Sequence, residues 1–146
     1  MKDKFKQAYM DVAERFAQLS HAQRAKVGAI IVKDDRIISI GYNGMPSGWE
    51  NECETEQKTG NTGYGRKLVT KPEVLHAETN AIAKLAQSSE SGKDATLFCT
   101  HLPCIDCAKL IYQSGITQVY YREEYKAAKG TGKDFLTKSG VTVARY

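Results

Sequence analysis

The sequence predicts an α/β layered fold with a partly parallel sheet, and two observations carry that prediction. After residue 70, short β-branched or aromatic runs alternate with helix-length segments, and before it two apolar runs flank Lys33-Asp34-Asp35-Arg36. Alternation of the first kind marks parallel strands joined by helices, and the second marks a β-hairpin. A chain of 146 residues suits one domain with a sizeable core.

Each element has a local reason. Phe5, Ala8, Tyr9, Val12, Phe16 and Leu19 recur at steps of three and four, which predicts an amphipathic helix. Val27 to Val32 and Ile37 to Ile40 follow as the hairpin strands, and Gly41-Tyr42-Asn43-Gly44 ends the second. Residues 45–72 show no period, hold several glycines and the only Trp, and are expected to be a long loop insertion. A helix from His76 to Gln87, a strand from Ala95 to Thr100 and a helix from Cys104 to Gln113 come next, the last closed by Ser114-Gly115. A strand over Val119 to Tyr121, a helix over Asp134 to Lys138 and a strand over Val141 to Arg145 complete the series.

Composition narrows the function. Hydrophobic residues make up 41% and charged residues 26%, as in ordinary soluble proteins. No run approaches the ~20 apolar residues that cross a bilayer, and the first residues lack a signal-peptide core. A cytoplasmic protein is therefore expected, with no membrane partner. The net charge of +4 suits an anionic ligand without any basic block of the kind that binds nucleic acid. Four cysteines without a secretion signal point to metal rather than disulfides.

The chemistry concentrates in His76-Ala77-Glu78 and Pro103-Cys104-Ile105-Asp106-Cys107. Cys104 and Cys107, at i and i+3, share one face of a first helical turn, whose positive end favours thiolates. His76 and Glu78 diverge by about 200° on a regular helix, so they can face one ion only at a helix start. Three ligands, His76, Cys104 and Cys107, leave a fourth position for water, as catalytic zinc sites do. Glu78 is then the proton carrier. His101, Cys53, Cys99 and His21 are further candidate ligands; Cys99 reads better as a buried apolar residue and His101 as a loop or edge histidine.

The His-x-Glu and Pro-Cys-x-x-Cys pair resembles the signature of zinc nucleobase deaminases. Beyond it, Val27-Gly28-Ala29-Ile30-Ile31, Gly41-Tyr42-Asn43-Gly44-Met45-Pro46-x-Gly48, His76 to Ile82, Pro103 to Ile111 and Gln113-Ser114-Gly115-Ile116 resemble the deoxycytidylate (dCMP) deaminases of phage and bacterial type. Free-nucleoside cytidine deaminases typically carry Cys where His76 stands.

The resemblance implies a three-layer α/β/α sandwich around a five-stranded mixed sheet, and zinc-dependent hydrolysis of dCMP to dUMP and ammonia for thymidylate synthesis. It implies a homohexamer and places Asn43, Ala77 and Tyr125 in or near the nucleotide site. Arg24, Lys26 and Lys126 are candidates for a 5′-phosphate. It implies regulation by dCTP as activator and dTTP as inhibitor, each with Mg²⁺. Gly44, Met45, Asn80, Arg66 and Lys71 are the candidate effector residues, and Gly60-x-x-Gly63-x-Gly65 a candidate phosphate cradle. The alternatives are a polynucleotide deaminase of the tRNA adenosine type, a zinc-stabilised binding module, and a deaminase for guanine or a pterin-like ring.

Overall fold

The computed structural model describes residues 1–59, 65–125 and 130–146. Its centre is a five-stranded mixed sheet in the order β2-β1-β5-β6-β7. Strands β1 (Gly28–Lys33) and β2 (Arg36–Tyr42) form the hairpin. Asp34 and Asp35 turn it at φ of 50° and 58°, the left-handed pair that a two-residue connection requires. Strand β5 (Thr96–His101) lies antiparallel to β1, whereas β6 (Gln118–Glu123) and β7 (Thr142–Arg145) add in parallel.

Helices cover both faces. Helix α1 (Asp3–Ala17) packs Met10 and Ala13 against Ile30, Val32 and Phe98. Helices α2 (Ala77–Ala86), α3 (Ile105–Gln113) and α4 (Lys133–Lys138) cover the other face, where Ala81, Ala108, Ile111 and Leu136 meet Ile31, Leu97 and Val119. The expected three-layer sandwich and its element order are thus observed. Neighbouring strand residues go to opposite clusters, as the period of two demands.

Two expectations are corrected. The insertion over 45–72 is not all loop: β3 (Glu54–Thr59) and β4 (Gly65–Thr70) pair antiparallel as a second, two-stranded sheet. Strand β3 carries no large apolar side chain and β4 only Leu68 and Val69, so there is little hydrophobic alternation to betray the pair. The α1 stripe is also displaced. Phe5 and Leu19 are exposed, while Met10, Ala13 and Ala17 are fully or almost fully buried. Gly28 explains the small residues, because a Cβ there would collide with the Ala13 carbonyl. Close approach of helix to strand favours alanine over bulk.

Candidate active site

The site forms where the chain leaves β2 and β5 and enters α2 and α3. His76 and Cys104 are the N-cap residues of those helices, both extended, with φ, ψ of −76°, 153° and −71°, 169°. The expected helices beginning at 76 and 104 therefore start one residue later. That offset solves the convergence problem: His76 stands outside the first turn and Glu78 inside it, so both can address one point.

Each helix start is tied to the sheet. Gly44 and Leu75 exchange backbone hydrogen bonds of 3.1 and 2.8 Å, fixing the strand end to the residue before His76. The Asn80 amide donates to the Tyr42 carbonyl at 2.9 Å, and the Ser39 hydroxyl to the Ala81 carbonyl at 2.6 Å. Gly41 lets α2 lie directly on β2, since a Cβ there would clash with the Ala77 carbonyl and come within 2.7 Å of the Ala81 nitrogen. For α3, Leu102 N–H donates to Glu123 at 2.9 Å and Gly132 N–H to Pro103 at 2.8 Å.

These ties bring three ligand atoms together. His76 Nδ1 lies 3.3 Å from Cys107 Sγ and 3.6 Å from Cys104 Sγ, and all three atoms fall within 4.8 Å of one another. Around a tetrahedral zinc with Zn–S ≈ 2.3 Å and Zn–N ≈ 2.0–2.1 Å, nitrogen and sulfur sit about 3.5 Å apart, so the donor set fits. The two thiols share a proton. A hydrogen bond from Cys107 holds Cys104 down to about 4, and the same bond, with burial, pushes Cys107 far up. The Cys104 contact raises His76. A divalent cation would displace those protons. Among the described residues no such group includes His101, Cys53, Cys99 or His21.

Glu78 is buried at 4% exposure beside this group. Burial raises its carboxyl above the usual carboxylate range, favouring a group that can both hold and release a proton. The Cys99 thiol donates to Glu78 Oε1 at 3.2 Å, and Cys107 Sγ lies 3.7 Å from Oε2. Burial keeps Cys99 a thiol, hence a donor. Its placement among apolar side chains agrees with the sequence reading; its contact with the carboxyl does not follow from it.

A cavity of about 160 Å³ opens above Glu78, His76, Ala77 and Cys104. Asn43, Tyr125 and Arg24 also line it, whereas exposed Lys26 does not. Asn43 spends its amide on the backbone, accepting from Val27 N–H and donating to the Ala25 carbonyl, both at 2.9 Å. Arg24 reaches Thr70 Oγ1 at 3.2 Å, and Glu54 accepts the backbone N–H groups of Gln23 and Arg24 at 2.9 and 3.2 Å. Thr70, Glu54, Cys53 and His101 line the cavity too. Sequence reading named Cys53 and His101 only as candidate ligands and gave Thr70 and Glu54 no place there; the chain path through β3 and β4 brings those two to it.

Of the candidate effector residues, Met45 and Lys71 line a second hollow with Trp49, Glu50, Thr55, Pro72 and Glu73. Gly44 and Asn80 are engaged in the backbone ties above, and the exposed Arg66 of β4 pairs with Glu56 at 3.3 Å. Gly60, Gly63 and Lys126 lie outside the described residues.

A three-layer sandwich with two helix N-termini presenting His, Cys and Cys around a buried glutamate defines the zinc-binding deaminase class. Residues 3–123 match the family described as "Cytidine and deoxycytidylate deaminase zinc-binding region", and the chain belongs to that family. It is similar to the dCMP deaminase of cyanophage S-TIM5 in complex with dCMP and dUMP, at 48% identity and a TM-score of 0.87, over 100% of this chain and 99% of that one. The deoxycytidylate deaminase of Enterobacteria phage T4 is 33% identical over 92% of this chain and 86% of its own length. That of Saccharomyces cerevisiae is 35% identical over 94% of this chain, which spans only 43% of the yeast protein. Among the described residues no helix is long and apolar enough to cross a membrane.

Proposed function

We propose that this chain, as one domain in the cytoplasm, hydrolyses dCMP to dUMP and ammonia and so supplies dUMP for thymidylate synthesis. The buried Glu78 carboxyl, beside three converging donors at the floor of the cavity, carries the reading. The likeness to the cyanophage enzyme with dCMP and dUMP supports the substrate.

His76, Cys104 and Cys107 would hold zinc. When bound, zinc supplies a Lewis acid that brings the pKa of water from ~15.7 toward ~7. Glu78 accepts a proton from the water that adds to C4, passes it to ring N3, and later delivers a proton to the departing amine. One water is consumed, the C4–N4 bond breaks and a C4 carbonyl remains. Ala77 at the helix start, Asn43 and Tyr125 would border the base and sugar, and Arg24, rather than exposed Lys26, would meet the 5′-phosphate.

Regulation by dCTP and dTTP with Mg²⁺, in a homohexamer, belongs to the same proposal. The hollow lined by Met45 and Lys71, beside β3 and β4, is the surface considered for effectors.

The test is a panel. Zinc-loaded protein is given dCMP, CMP, cytidine, dCTP, tRNA and single-stranded DNA, with and without dTTP·Mg²⁺, and ammonia is measured. The expected result is dCMP turnover that dTTP lowers. Preference for tRNA or DNA would instead favour a polynucleotide deaminase. An unchanged dCMP saturation curve at millimolar dTTP would remove regulation alone.

A further inference from the structure

We infer that His101 is a substrate-reading residue, presenting a neutral Nε2–H to an oxygen on the sugar–phosphate arm of the nucleotide. This rests on the dCMP reading of the same cavity.

A hydrogen-bond relay fixes the tautomer. Gly28 N–H donates to Thr100 Oγ1 at 3.1 Å, and Thr100 Oγ1 lies 2.9 Å from His101 Nδ1. Thr100 is buried, and among the described residues its hydroxyl has no acceptor other than that nitrogen. The hydroxyl proton therefore goes to Nδ1, which leaves the ring hydrogen on Nε2. Burial lowers the basicity of His101, in keeping with a neutral ring. Nε2 has no partner among the described residues, and the ring lines the cavity edge-on to Tyr125, with centroids 6.2 Å apart at 85°.

Its position selects what it meets. Leu97 and Cys99 face the α2–α3 side of the sheet and Phe98 the α1 side, so His101 shares the face of Cys99. Two residues along a strand span about 6–7 Å. Cys99 touches Glu78 from beneath without lining the cavity, so His101, one pleat along the strand, stands to one side of that carboxyl in the cavity wall beside Tyr125. With the reacting carbon over Glu78, a side chain set to one side of it and sharing the cavity with Arg24 is placed for the sugar–phosphate arm rather than for that carbon. A neutral donor suits a sugar or phosphate oxygen and leaves net charge to Arg24.

The closing experiment uses zinc-loaded wild-type protein, His101→Ala and His101→Gln, whose amide nitrogen can replace Nε2. Imidazole ¹⁵N spectra of the wild type should show His101 as the Nε2–H tautomer, with that signal shifting on addition of dUMP. His101→Ala should raise KM for dCMP and Kd for dUMP about tenfold, the loss of one hydrogen bond, with kcat within about twofold. His101→Gln should recover most of that loss at the same zinc content. A penalty that disappears with deoxycytidine assigns the contact to the phosphate; one that persists assigns it to the sugar. An Nδ1–H tautomer, or unaltered KM and Kd in both variants, overturns the inference. Wild-type protein that releases no ammonia from dCMP refutes the parent reading, while the dUMP titration still decides the role of His101.

Discussion

The floor and the mouth of the cavity are built by different rules. At the floor, Cys104, Cys107, Glu78 and Cys99 are buried, and two helix starts pinned by backbone hydrogen bonds hold them in place. At the mouth, Arg24 is exposed and steadied through Glu54 and Thr70 at the ends of β3 and β4. The contrast separates chemistry from selection. The floor can fix a reacting atom to a few tenths of an ångström, whereas the mouth can change partners without disturbing it.

The largest effect should come from the floor. Cys104→Ala or Cys107→Ala removes one of three donors and should weaken zinc affinity by more than about 100-fold, since loss of an outer-shell partner alone costs 10–100-fold. Competition against a chromogenic chelator measures this, and retained affinity would break the assignment. Next is Cys99→Ala. Without its thiol the Glu78 carboxyl loses a 3.2 Å donor, and kcat should fall about tenfold at constant zinc content. Cys99→Ser should keep most of the rate, because a hydroxyl donates in the same place.

A mouth variant should act differently. Arg24→Ala should raise KM for dCMP about five- to tenfold and leave deoxycytidine turnover unchanged, which steady-state kinetics on both substrates would read. The smallest effect is expected farther out on β4. Arg66→Ala breaks an exposed pair and should shift stability by under about 0.5 kcal/mol in a denaturant titration. A large shift there would mean that the outer sheet supports the floor.

The buried carboxyl also sets a pH signature. Its proton affinity is higher in the folded chain, so the fold binds more protons than the unfolded state between the unfolded value, ~4.3, and the higher folded one. Metal-stripped protein should lose stability as pH rises through that window and hold the deficit above it. Glu78→Gln should abolish the loss, leaving the variant more stable than wild type at neutral pH and equal to it near pH 4. Thermal midpoints across pH test the sign.

The same contrast explains what the sequence could disclose. The floor was legible because it depends on short-range spacing: two helix starts, each placing ligands within one turn, announced by Pro103 and by His-x-Glu. The two central strands β1 and β5 were legible because they are buried on both faces and so read as apolar runs. Strands β3 and β4 were not, since pairs such as Glu56 with Leu68 and Lys58 with Arg66 leave no apolar face to count. The α1 stripe lies elsewhere than its bulky residues suggest, because two of its three buried positions, Ala13 and Ala17, are the small ones that Gly28 admits. Cys99 read correctly as buried, but its contact with Glu78 comes from strand register, which local spacing does not carry. Asn43 was singled out as a substrate residue, and most of its amide proves to hold the segment from Ala25 to Val27.

The most direct test compares Glu78→Gln with wild type at matched zinc loading, following dUMP formation from dCMP. The expected result is one zinc per chain in both proteins, with kcat lowered by about 10²–10⁴-fold in the variant alone. Wild-type turnover by the variant, or zinc-loaded wild-type protein that forms no dUMP, would contradict a buried glutamate working beside a three-donor metal centre.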